Sequence, residues 1–272
     1  MLELRELLRD GASAVPLDVA ALQIGSIEEA DPDITPSLIL LDSYANEFSE
    51  RVTPATPGDD FVVMLNEYLF EELGFQGNSS DYYDPANSCL QQVLLRRLGI
   101  PISLSVVYME IGRRLGRRFH GIGLPGHFIV ACDEPDLSAY IDPYHGGALL
   151  TVEECYDLAR EATDMPLADD RSMLQPVSPR HIAIRMLNNL RAVYLRRHDP
   201  SKAVRVLDLL IESAPGSAEE YKQRGVCLAQ LDRFAEASDD LRSYLGLAPD
   251  ATDRWQVTAE LERLRRLIAL QD

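Results

Sequence analysis

Two residues raise the question of chemistry in this 272-residue chain. His127 opens the strand-like run His-Phe-Ile-Val-Ala, and Asp142 closes another, Tyr-Ile-Asp-Pro. Fourteen intervening residues with a turn among them suit two paired strands, which puts both side chains near one end of a hairpin. A histidine oriented by a carboxylate is two-thirds of a nucleophilic triad. The missing third is a Ser or Cys at the start of a facing helix. There the helix dipole lowers a thiol pKa, and free amides can stabilise an oxyanion. Metal binding is the competing use of such residues. From His127, the intervals to His120, Cys132 and His145 are seven, five and eighteen residues. They match no helical or knuckle pattern, so no metal is expected. Gly121, Gly123, Gly126, Gly146 and Gly147 suit tight strand turns rather than a phosphate cradle, because no helix and Lys follow them. Residues 1–180 contain no lysine. That argues against P-loop and Schiff-base chemistry there, and no cofactor is expected.

The elements that must position these residues follow from periodicity. Apolar spacing near 3.6 predicts helices at the N-terminus (Leu2, Leu4, Leu7, Leu8), from Pro36 to Glu50 and from Asp59 to Leu73. Asn87 is a good N-cap for a helix running to about Leu98, which Gly99 would end. A second helix is expected from about Ile102 to Leu115, ended by Gly116. The double arginines Arg113-Arg114 and Arg117-Arg118 suit its C-terminal dipole. From Phe119 to Gly147, short apolar runs punctuated by Gly and Pro predict two or three antiparallel strands.

The last third repeats with a period of 34. Ala203 matches Ala237, Leu207 matches Leu241, and Ala214-Pro215 matches Ala248-Pro249. The spacing resembles the tetratricopeptide repeat, a pair of antiparallel helices in which Ala permits close backbone approach. Two repeats plus a capping helix is a short array, so these helices are expected to lean on the N-terminal domain. Leu187, Tyr221 and Trp255 share one register, which predicts a buried Trp255. The expected organisation is a domain over 1–165, a proline-rich linker over 166–180 and the repeats over 181–272.

The stretch NSCLQQVLLRRLGIPISLSVVYMEIGRRLG, followed by GIGLPGHFIV and YIDPYHGG, resembles the SirB-type transglutaminase-like proteins. The resemblance runs from about Leu38 to Leu270 and is dense from Tyr82 to Gly147. It implies an α+β fold: a transglutaminase-like (papain-like) helical core with a small antiparallel sheet, followed by an all-α tetratricopeptide solenoid. In active relatives of this kind a helix begins with a catalytic Cys, and His then Asp follow on adjacent strands. His127 and Asp142 match the last two members. The first does not match. The helix feeding the sheet begins Ile102-Ser103-Leu104-Ser105 and has no cysteine. Ser103 or Ser105 is the closest substitute, a far weaker nucleophile, with an N-terminal capping role as the alternative. Cys89 is the rival: in the first turn behind Asn87 its thiol pKa could fall, yet it lies one helix too early. Asn87, Tyr82 and Tyr83 read as scaffold around the cleft.

Charge narrows the partners. Of the net −18, all falls in residues 1–180, which hold 30 acidic residues against 12 arginines. Such a field repels phosphate backbones and anionic lipid, so neither nucleic acid nor membrane is an expected partner. Four cysteines without CxxC spacing indicate neither a disulfide framework nor a zinc ribbon. The first twenty residues lack an apolar signal-peptide core, and a cytoplasmic protein is expected. The expected function is protein binding or regulation on a degenerate transglutaminase-like core, with a protein or peptide partner in the repeat groove. The alternative is an amide or ester hydrolase or acyl transferase using Ser103 or Cys89 with His127 and Asp142. Nothing in the sequence sets an oligomeric state.

Overall fold

The computed structural model describes residues 1–10, 15–29, 32–134, 137–163 and 168–271. The boundary expected at 165, the first two linker positions, and Pro135 and Asp136 lie outside them.

Helices come first: α1 (Leu2–Asp10), α2 (Leu17–Ile24), α3 (Thr35–Ser49) and α4 (Gly58–Asn66), the last continuing as a π-helical turn over Glu67–Glu72. The next helix differs from expectation. Pro85–Asn87 forms a 3₁₀ turn, and α5 spans only Leu90–Arg96, with Cys89 rather than Asn87 at its N-cap. Arg97 ends it in the left-handed conformation (φ 58°), so the stop does not wait for Gly99. Leu98–Gly99 (β2) instead pairs in parallel with Gln76–Gly77 (β1).

The central helix α6 (Pro101–Arg114) is buried at every position from Pro101 to Gly112. A helix apolar nearly all round belongs in the interior, and PISLSVVYMEIG is such a sequence. Its arginines do more than complement the dipole. Arg113 and Arg114 both pair with Glu110 and Asp18, two carboxylates buried in the fold, and Arg114 also reaches Asp42. Arg117 lies over the Phe61 ring.

Beyond α6 the sheet has four antiparallel strands, one more than expected, in sequential order: β3 (Phe119–Ile122), β4 (Ile129–Glu134), β5 (Leu137–Asp142) and β6 (Ala148–Leu150). The strand β3 takes in Gly121, which is therefore not a turn residue. Helix α7 (Val152–Thr163) covers a small cluster of Ile122, Leu124, Ile129 and Cys155.

The repeats are α8 (Pro179–Arg196), α9 (Pro200–Ser213), α10 (Ala218–Gln230), α11 (Phe234–Leu247) and α12 (Arg254–Gln271). One continuous apolar core runs from Leu4 to Leu264, joining both halves of the chain. Polar contacts reinforce the junction: Arg5 and Arg9 bind Glu212, Arg180 donates to the Leu8 and Ser213 carbonyls, and Tyr194 and Lys202 both meet Glu28. Trp255 contradicts its register, being 71 % exposed where Leu187 is fully buried. Of the other two members of that register, Leu187 in α8 is buried and Tyr221 in α10 is partly buried. No described helix follows α12, which packs only its Val257, Leu261 and Leu264 edge inward. Among the described residues, no helix is long and apolar enough to cross a membrane.

Candidate functional site

The site sits where β5 ends. Asp142 is both the last residue of that strand and the cap of the 3₁₀ turn Pro143–His145. Its Oδ1 accepts the Tyr144 N–H at 3.0 Å, the Asx geometry that an Asp-Pro step favours. Gly146 and Gly147 then carry the chain back with φ of 68° and 78°. Gly147 donates to the Asp142 carbonyl at 2.8 Å, and its own carbonyl accepts from Asn66 at 2.7 Å. A Cβ at Gly147 would stand 2.4 Å from the Asn66 side chain, so sterics and φ both demand glycine there.

His127 lies just before β4, two residues short of it. Its carbonyl accepts from Arg185 of α8, which also donates to the Leu124 carbonyl at 2.7 Å. The helical array thus braces the loop that carries the histidine. His127 is 6 % exposed and Asp142 1 %. Nε2 of His127 meets Oδ2 of Asp142 at 2.9 Å.

A third side chain completes the cluster. His145 Nδ1 meets the same Oδ2 at 2.7 Å, and the two imidazoles lie nearly parallel, 5.7 Å apart with planes 16° from one another. The His145 side chain is half exposed, unlike its partners. Burial pushes the Asp142 carboxyl up, but the hydrogen bonds and charge of His127, then those of His145, outweigh it and hold the group below the ordinary carboxylate range. Tyr144 packs edge-on against both rings, and Tyr82 continues this aromatic wall.

The expected nucleophiles lie elsewhere in bonding terms. Ser103 is fully buried at the head of α6; its Oγ accepts the Ile100 N–H at 3.0 Å and donates to the Asn87 carbonyl at 2.7 Å. This is the capping role. The Ser105 hydroxyl is buried and has no hydrogen-bond partner among the described residues. Cys89 is buried too, and its surroundings are Glu28, Lys202 and Asp84 rather than His127. Burial pushes its thiol up to about 12, opposite to the lowering expected of a first-turn cysteine. Neither Ser103 nor Cys89 hydrogen-bonds His127. Asn87 is a hub: its amide donates to the Asp81 and Tyr82 carbonyls and accepts from Asn78.

His145, set aside in the sequence as a metal ligand because of its spacing, is brought to the pair by the structure. Its signal was local: three positions after the Asp of an Asp-Pro turn, a side chain folds back onto the capping carboxylate.

The sequence model of the transglutaminase-like superfamily matches residues 37–188, and that of a tetratricopeptide repeat family matches residues 190–262. A UPF0162 protein of Xylella fastidiosa is 37% identical over 238 residues, covering 86% of this chain and 85% of its own. A UPF0162 protein of Pseudomonas aeruginosa is 30% identical over 193 residues, 71% of this chain and 70% of its own. F-box only protein 21 of Homo sapiens is 39% identical over 99 residues, 34% of this chain and 16% of that protein.

Proposed function

This chain belongs to the transglutaminase-like superfamily, in its UPF0162/SirB-like branch with C-terminal tetratricopeptide repeats, and from that premise we propose that it is a protein-binding or regulatory protein whose core has lost thiol-based acyl transfer. The observation that carries this reading is the state of the helix head facing the sheet. Where an acyl transferase of this kind needs a thiolate, Ser103 holds the loop by two hydrogen bonds, and the Cys89 thiol stays protonated at neutral pH. His127 and Asp142 then act as a clamp between the loop leading into β4 and the end of β5. Three units are proposed, 1–165, 166–180 and 181–272, in a cytoplasmic protein.

The repeats supply the docking surface. Between α8 and α10 lies a cavity of about 150 Å³ walled by Tyr194, Leu195 and Val226, with Leu195 and Val226 partly open to solvent. The buried Gln223 Oε1 at its edge has no partner among the described residues, an acceptor suited to a peptide N–H. The acidic half of the chain favours a basic partner.

The enzyme reading keeps one observation of its own. Asp142 fixes Nε2 of His127 and leaves Nδ1 as the ring's other nitrogen, the orientation a general base requires. Electrophilic thiol and serine probes applied to the complete chain separate the two readings. Stable absence of covalent adducts supports the binding protein. Stoichiometric labelling of Ser103 or Cys89 that disappears in His127→Ala overturns it.

A further inference from the structure

We propose that His127, Asp142 and His145 bind one divalent transition-metal ion of borderline softness, zinc being the ion their donor set suits best. The inference does not depend on the binding-protein reading, since metal uptake would be the same with or without acyl transfer. Three donor atoms converge: His127 Nε2, Asp142 Oδ2 and His145 Nδ1 all lie within 4.8 Å of one another. The carboxylate oxygen is 2.9 Å from one ring nitrogen and 2.7 Å from the other. Zinc bonds of about 2.0–2.2 Å at tetrahedral or right angles hold ligand atoms about 3.0–3.5 Å apart. The two oxygen–nitrogen separations need to lengthen by only a few tenths of an ångström, and the two ring nitrogens, within 4.8 Å of each other, set themselves about the ion. His145, on the exposed side, is the member free to give way.

The chemistry of the donors selects the ion. Two imidazoles and one carboxylate suit zinc and its first-row neighbours, whereas Mg²⁺ and Ca²⁺ prefer oxygen throughout. The carboxylate is ready as a ligand. Its Oδ1 is held by the Tyr144 N–H, so Oδ2 alone is presented, and the Gly147 N–H closes the turn behind it. Each imidazole would bind as the neutral ring with its proton on the other nitrogen, Nδ1 of His127 and Nε2 of His145; the hydrogen bonds to Oδ2 give way to bonds to the ion. A clamp between strands needs only one histidine. The second, half exposed and directed at the same oxygen, adds little stability as a surface pair. As a ligand its position makes sense. Three protein ligands leave a coordination position open towards solvent, the pattern of catalytic rather than structural zinc sites.

The test uses the complete chain, stripped with a chelator and titrated with zinc chloride against a chromophoric competitor near neutral pH. One zinc per chain is expected at micromolar concentration. His145→Ala should weaken it more than the ten- to hundredfold typical of losing an outer-shell partner. Because His145 is half exposed, that variant keeps its fold, which far-UV circular dichroism verifies. Asp142→Asn should weaken zinc similarly, while His181→Ala, an exposed histidine on α8, should leave it unchanged. Two results would overturn the site: no stoichiometric uptake by the wild-type chain, or equal affinity in wild type and His145→Ala.

Discussion

Replacing Asp142 by Asn keeps the shape of the side chain and removes its charge. The wild-type carboxylate accepts three hydrogen bonds, from Tyr144 N–H, His127 Nε2 and His145 Nδ1. An amide offers one oxygen and one NH₂ group, so at least one of these donors must lose its acceptor. A buried donor left unsatisfied costs about 1–3 kcal/mol, and the surviving bonds fall to roughly half their charge-assisted strength. Breaking a buried charged pair by changing one partner costs about 3–5 kcal/mol in total. His127→Ala should cost less, about 1–3 kcal/mol, because Asp142 keeps its other two donors. His145→Ala, at an exposed ring, should cost about 0–1 kcal/mol. The predicted order is Asp142→Asn, then His127→Ala, then His145→Ala.

The assay is urea unfolding of the complete chain with a chelator present, followed by far-UV circular dichroism because the exposed Trp255 reports poorly on the core. Changes should appear in the midpoint and not in the slope. The pH dependence gives an independent check. Asp142 titrates below its unfolded value, so its contribution is present above about pH 4 and is lost as pH falls through the lower folded pKa. The Asp142→Asn deficit should therefore shrink as the solution is acidified below about pH 4. A deficit that stays constant into acid refutes the assignment. So does a His145→Ala penalty equal to that of Asp142→Asn.

Other outcomes follow from the same structure. Gly147→Ala should destabilise by well over the ~1–2 kcal/mol of the left-handed backbone alone, because its Cβ meets Asn66, while Gly116→Ala, with nothing within 4 Å, should cost only that backbone term; thermal melts compare them. Trp255→Ala should change stability by less than about 0.5 kcal/mol, and native Trp emission should lie near that of free indole; strongly blue-shifted emission would contradict the fold of α12. Cys89 and Cys155, both pushed up to about 12 by burial, should resist alkylation in the native chain at neutral pH and react once it unfolds. Their raised thiol pKa values also mean that stability is intact below about pH 8.5 and declines as pH rises towards the folded values.

What could be read from the sequence was whatever rests on periodicity. The 34-residue repeat located α8 to α12, and apolar spacing placed a helix from about Ile102 to Leu115, where α6 runs from Pro101 to Arg114. Failures share another cause: each depended on a neighbour that periodicity does not specify. Arg97 took a left-handed conformation usually left to glycine, which shortened α5 and freed Leu98–Gly99 for a strand. The shared register of Leu187 and Trp255 predicted burial for both, yet Trp255 is 71 % exposed: register confers burial only where neighbouring helices close over the position. The candidate site divides along the same line. His127 and Asp142 follow from strand ends and spacing. His145 depends on a turn in which Oδ1 of Asp142 is bound by Tyr144 N–H and Oδ2 is left to face outward. That division bears on function. The core pair is set by the end of β5 and by the Arg185-braced loop before β4, and would persist under many substitutions of the turn, whereas the third donor exists only while the Asp142–Gly147 turn keeps its two left-handed glycines. A variant such as Gly147→Ala should accordingly disturb the placement of His145 while sparing the His127–Asp142 bond. Although that variant is less stable overall, its His145 ring signals in the NMR spectrum should move while those of His127 stay at their wild-type positions, and zinc affinity should fall. If the His127 signals move along with those of His145, the turn does not place the third donor independently of the pair.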